Sequence, residues 1–544
     1  MSLIRPLFLL LLVLPGALVC VGQEPGPKSK NRDFWKLQAN LITDQILQES
    51  KFVNPLDRAV LWGRLAAIWW KFDRERAPKW LNEAIDVVDS SPKEESASDR
   101  RRRLSSLRVL LSIAAPLDRR SSNRLAGLLS RNELNVNDET SQNADALVQA
   151  ALNVVQSDPA RAAELGSACL RAGKCLSFSN LLVRLRAQNK NLGDALFAEA
   201  LSRASATTDL DLLTSLTIMA FNTLPASSEL RKHIVVVVSR QFSGDDQHIT
   251  RSCLLTPVLV PLLEQFAIAE PQAASIVRNA LIQCRRVQSS RSEDADNVWP
   301  DFPLKTVDSL LEAANKTANI EKKVVYLGRA AYLAAGEKNF IRALSILDAF
   351  NEEEREQLGS VWGNWRWEFA SSAAIACLKQ TDRYGMDKII ATTPVRLRAF
   401  VQLVVADEVS NAGDPAGAIE LLEASRKAFK LDTRDLFDWY LSLVRRYAKL
   451  APNEGVAVFR EFVTNTNQFR QSETTTDATG YDSYAPVELP AALVEPDLVG
   501  ILQATSQIKP FEIRMRIQLG FLKTFLELGR KVNSKRRSAS QFGS

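Results

Sequence analysis

His233 and His248 are the only imidazoles in the chain, and neither has a second histidine or a cysteine pair at metal-ligand spacing. His233 opens the apolar run Ile234 to Val238 and reads as a partly buried structural residue rather than a base. No GxSxG elbow, HExxH pair, GxxxxGK loop or GxGxxG turn occurs. Glu352-Glu353-Glu354 offers carboxylates, but it follows Phe350 in a polar run and reads as a solvated turn or helix start. Glycoside chemistry needs two carboxyl groups at a defined separation, which a sequence alone does not supply. The chain is therefore expected to be no enzyme, with no catalytic, metal-binding or cofactor-binding residue.

Aromatic and sulfur side chains are the remaining candidates. Trp362, Trp365 and Trp367 crowd one short stretch, with Trp362 and Trp365 on one helical face. Exposed, such rings anchor a peptide or stack a sugar. The competing reading, which carries more weight, is packing between helices of unequal size. Trp62, Trp69, Trp70 and Trp80 form a similar group. Among the six cysteines, Cys253 and Cys284 lie equidistant from the Ile268-Ala269-Glu270-Pro271 turn. In an antiparallel hairpin that brings them level and makes them a candidate disulfide, against the alternative of two buried thiols. Cys169 and Cys175 across Gly173 are a second pair, and Cys377 is left unpaired in an apolar run.

These side chains sit on helices whose type the patterning gives. Across Arg396 to Lys430, Leu397, Phe400, Val401, Val404 and Val405 form one apolar stripe. Gly413 then ends a helix, Asp414 caps the next and Pro415 opens it. Ala418, Leu421 and Leu422 stripe the second helix. The unit is an αα-hairpin, and its turn recurs at Asp158-Pro159, Glu270-Pro271 and, more loosely, Ala451-Pro452. Asn339 takes the capping place in the hairpin Tyr326 to Phe350. The run Arg100 to Arg103 reads as a solvated helix start in preference to an anion site.

Small residues in a first helix, a short turn, then alanine and bulky apolar residues in a second resemble the tetratricopeptide repeat. Ala331, Gly336, Ala343 and Leu347 fall approximately where that family keeps its packing positions. The spacing wanders upward from 33 residues (Ala162 to Ala195), and the family's Trp-Leu-Gly-Tyr signature is not reproduced. The resemblance implies an all-α, right-handed αα-superhelix of roughly ten to fourteen helix pairs. A protein or peptide ligand on its concave surface is the implied partner. Two envelope groups with similar helical portions give the alternative, a glycan-active or glycan-binding protein. Lytic transglycosylases carry a Glu-Ser pair followed by a Gly-Leu-Met-Gln-like motif, which is absent after Val463. SusD-like proteins start from a lipidated cysteine, whereas Cys20 here follows Val19, where such signals keep a small residue.

The ends of the chain complete the expected organisation. Residues 1–22 read as a signal peptide, with Arg5 before the apolar Leu7 to Leu14 and a break at Pro15-Gly16. Residues 23–32 form a flexible leader, 33–463 the solenoid and 464–496 a Thr/Asn/Ser-rich mobile loop. Helices return over 497–529, and 530–544 is a disordered basic tail. No transmembrane segment is expected. With 46% hydrophobic and 24% charged residues and a net charge of +6, the composition is that of a folded protein with no nucleic-acid signal. The reading is an exported, non-enzymatic binding or scaffolding protein of the bacterial cell envelope, periplasmic or secreted.

Overall fold

The computed structural model describes residues 32–91, 96–130, 137–173, 175, 177–207, 209–223, 228–242, 255, 259–290, 306–317, 319–358, 360–429, 437–468 and 484–541. Among them are 26 α-helices and no strand. Residues 1–22, expected as a signal peptide, and leader residues 23–31 lie outside the described residues. No helix among the described residues is long and apolar enough to cross a membrane.

The chain divides into two compact units, one of residues 44–300 with 476–485, the other of 1–43, 301–475 and 486–544. Helix α1 is Arg32–Glu49. In the first unit, α2 (Pro55–Trp69) pairs with α3 (Arg76–Asp89), α4 (Ala97–Ala114) with α5 (Arg119–Ser130), and α6 (Asn137–Val154) with α7 (Pro159–Ala172). Next come α8 (Phe178–Gln188), α9 (Lys190–Thr207), α10 (Leu210–Ile218), α11 (Ser228–Gln241), α12 (Leu263–Ala269) and α13 (Pro271–Ser290). First helices touch in turn, α2 to α4 to α6 to α8. Second helices do the same, α3 to α5 to α7 to α9.

The second unit opens with α14 (Val307–Lys316), α15 (Ile320–Gly336), α16 (Phe340–Asp348) and α17 (Glu352–Leu358). Three hairpins follow: α18 (Ser360–Lys379) with α19 (Arg383–Thr392), α20 (Val395–Asn411) with α21 (Pro415–Ala428), and α22 (Phe437–Leu450) with α23 (Pro452–Thr466). The short α24 (Ala491–Val494), α25 (Leu498–Ser506) and the long α26 (Phe511–Gln541) finish it. Successive first helices α18, α20 and α22 again pack on one another.

The turns form for local reasons. Each cap carboxylate or amide accepts an otherwise unpaired N–H of the first helical turn. Asp158 takes the Arg161 N–H at 3.0 Å, Asn339 that of Arg342 at 3.2 Å and Asp414 that of Gly417 at 2.8 Å. Gly413 ends the preceding helix at φ +90°, a conformation that costs glycine little. Ser96 likewise caps α4 and leaves Arg101 and Arg102 exposed, a solvated start.

Ion pairs then join one hairpin to the next. Arg124 reaches Asp86 and Asp89, Arg426 reaches Glu461, and Arg446 reaches Asp407, each at 2.5 or 2.6 Å. Arg383 pairs with the cap Asp414 and Arg460 with the cap Asp497. The partners are 31 to 39 residues apart, one repeat.

Four expectations need correction. The irregular segment expected over 464–496 is shorter, because α23 runs to Thr466. Its later part is not a mobile loop: Val487, Leu489, Leu493 and Val494 are buried, while 469–483 lie outside the described residues. The tail is helical through Gln541, since α26 continues past 529. Glu354 is not solvated but 1% exposed. It forms a reciprocal cap with Asn351 at the start of α17 and an ion pair with Lys323 at 2.6 Å. Finally, His233 is exposed, one residue ahead of the buried face Ile234, Val235, Val237 and Val238.

Two glycines of opposite surroundings predict opposite responses to alanine. A Cβ at Gly127 meets nothing within 4 Å, so Gly127→Ala should gain up to about 1 kcal/mol of helix propensity. At Gly455 it would stand 2.7 Å from the Ala448 nitrogen, backbone against backbone. Gly455→Ala should therefore cost about 1–3 kcal/mol through overpacking, read as a lowered Tm beside a raised one. A second prediction concerns acid. The Gly417 N–H, then Arg383, hold the Asp414 carboxyl below its usual range. A carboxyl with a depressed folded pKa stabilises above its unfolded value, near 3.8, and loses that contribution as the pH falls through the folded value. The Tm deficit of Asp414→Asn should thus be present at pH 6 and close below about pH 4.

Candidate binding surface

Trp362 and Trp365 are half-buried and spent on packing. The Trp362 indole donates to the Leu347 carbonyl at 3.1 Å, and the Arg355 guanidinium lies 4.9 Å from its ring centroid. Trp365 lies against α15 where Gly328 leaves room, since a Cβ there would come within 3.0 Å of the ring. These two rings fasten α18 to the end of α16 and to α15. Arg366, 3% exposed, adds an ion pair to Asp348 at 2.8 Å.

Trp367 has a different role. Its ring centroid is 5.0 Å from that of Trp439, at 86°, and 6.1 Å from that of Phe400. Phe400 in turn meets Trp439 at 4.7 Å and 71°, and Phe429 at 5.3 Å and 82°. Trp367, Phe400 and Trp439 stand on the successive first helices α18, α20 and α22. All three are half-buried, whereas Phe429 is 8% exposed and floors the cluster. Edge-to-face contacts of this kind add about 0.5–1.5 kcal/mol beyond area burial.

A polar network holds α22 in place. The Tyr440 hydroxyl donates to Glu461 at 2.7 Å and that of Tyr447 to Glu423 at 2.8 Å. Arg426 donates to the same Glu461 at 2.8 Å through Nε. Burial first, and then the carboxylate acceptor, push both phenols far above the ordinary tyrosine range. They stay protonated as donors and pin α22 to α21 and α23.

The remaining reactive groups do not converge. Cys169 and Cys175 are joined, with Cα atoms 6.2 Å apart. Cys284 is buried and disulfide-bonded, while Cys253 lies outside the described residues, so that pairing remains an expectation. Cys377 is a free, half-buried thiol. Burial, then Asp382, push its pKa up and disfavour the reactive thiolate. His248 is outside the described residues. Among the described residues no three His, Cys, Asp or Glu side chains gather as a metal site.

The sequence pointed to Trp367 but missed its partners. Phe400 reads as one more residue of an apolar stripe, and Trp439 stands alone. The available signal was register: Trp367, Phe400 and Trp439 are 33 and 39 residues apart, one repeat each.

No protein-family model matches the chain, and no curated protein matches it. Among solved structures, the chain is similar to a "Circular tandem repeat protein with novel repeat topology and enhanced subunit contact surfaces". The identity is 15% over 93% of this chain and 100% of that one, and the TM-score is 0.14.

The cluster geometry predicts that Phe400→Ala, by removing the central ring, costs about 2–3 kcal/mol, below the 3–5 typical of a fully buried phenylalanine. Tryptophan emission should shift to the red as Trp367 and Trp439 become hydrated. An unchanged spectrum would show that the rings do not depend on one another.

Proposed function

We propose that this chain is an exported, non-catalytic helical-repeat protein of the bacterial cell envelope that binds a protein or peptide segment. One observation carries the reading: a half-buried aromatic cluster to which three successive hairpins each give one ring, Trp367, Phe400 and Trp439. Rigid aromatic rings with part of their surface in water are the side chains that concentrate binding energy at interfaces. Export is supported by the pattern of residues 1–22 and by the disulfide chemistry, which suits an oxidising compartment.

A glycan ligand fits the cluster less well. Sugar platforms need open ring faces, and here the rings turn faces and edges toward each other at 71° and 86°. The two readings separate experimentally. An array of apolar-rich extended peptides and a panel of soluble peptidoglycan fragments are presented to the purified full chain. The expected result is peptide capture weakened about tenfold or more by Trp439→Ala, with no turnover of either panel. Capture indifferent to Trp439→Ala, or fragment hydrolysis abolished by a single carboxylate substitution, would overturn the proposal.

A further inference from the structure

Residues Pro486–Pro490 (Pro-Val-Glu-Leu-Pro) form a non-helical strap lying between α22 and α26. Val487 and Leu489 are buried and Glu488 is exposed, the in-out-in alternation of extended chain. Consecutive main-chain groups are read by the groove. The Val487 N–H donates to the Arg516 carbonyl at 3.0 Å. Arg445 Nε donates to the Glu488 carbonyl at 2.5 Å, and Thr524 Oγ1 to the Leu489 carbonyl at 2.7 Å. The Val487 carbonyl lies directly over Gly520, where any Cβ would overlap it. Lys523 pairs with the Glu488 carboxylate at 2.7 Å. The prolines on either side have no N–H, so no donor is left without an acceptor at either end.

This is how peptide-recognition grooves work: main-chain hydrogen bonds supply affinity and alternate side-chain pockets supply specificity. We propose that the groove formed by Arg445, Arg516, Gly520, Lys523 and Thr524 is a peptide-binding site that the strap occupies in cis. It accepts in trans an extended peptide of the form proline, apolar, acidic, apolar, proline. The inference goes beyond the aromatic cluster and does not depend on it.

The test uses the full chain carrying Val487→Ser and Leu489→Ser, which vacates both pockets and leaves the groove intact. The probe is a fluorescein-labelled synthetic peptide with the sequence of residues 485–491. Anisotropy should show saturable binding, lost when Gly520→Ala is added and unchanged by Gly127→Ala, whose Cβ meets nothing. Wild type should bind about tenfold or more weakly, because its tethered strap competes at high effective concentration. Absence of saturable binding to a vacated chain that still melts cooperatively overturns the proposal, as does equal binding of a scrambled peptide. Should the double variant lose its cooperative melt, the wild-type chain decides. Uptake of probe in large excess, abolished by Thr524→Val, supports the site, and no uptake overturns it.

Discussion

Burial of each first helix by several neighbours at once is the constraint from which the rest follows. An isolated hairpin cannot cover both faces of its first helix, so the face left over must be covered by the next hairpin. Helix α20 shows the result. Ala399, Val401, Gln402, Leu403, Val405, Ala406 and Val409 are all buried, most of the way round the axis, because α18, α21 and α22 each pack on it. Such a helix has little hydrophobic asymmetry. Side chains at its seams must be chosen by size, and hence glycine faces backbone at Gly455 and an indole at Gly328.

The polar side chains follow the same spacing. Arginines on one hairpin reach carboxylates on the next, and two of those carboxylates already cap helices. One aspartate thus satisfies a helix start and joins two repeats. Exposed pairs of this kind contribute little stability individually. Their value is in register, since a hairpin docked one turn out of place would leave both the guanidinium and the cap unsatisfied.

Much of this architecture was legible in the sequence because its causes are local. Asp158-Pro159, Asn339 and Asp414-Pro415 announce helix starts through chemistry confined to a few residues. What was illegible depends on who the neighbours are. Glu354 looks solvated beside Glu352 and Glu353, and only Lys323, 31 residues earlier on α15, explains its burial. The strap is bounded by two prolines and reads as loop, because the groove that orders it is built from α22 and a helix further on. His233 is adjacent to an apolar run, but nothing in the sequence states that coverage begins one residue later. The aromatic cluster was half legible: Trp367 was visible, while Phe400 and Trp439 acquire meaning only when three repeats are superposed.

One contact bears on the order of events in the cell. The Trp35 ring lies 5.4 Å from that of Phe525, so the first described helix is completed by the last. A chain emerging from the ribosome at about 5–20 residues per second exposes its Trp35 segment for roughly half a minute or more before that partner exists. The hairpins between can assemble as they appear, being local. The unit that contains both rings cannot: its α1 face around Trp35 has no cover until α26 has been made, so this part of the fold closes after the hairpins that lie between.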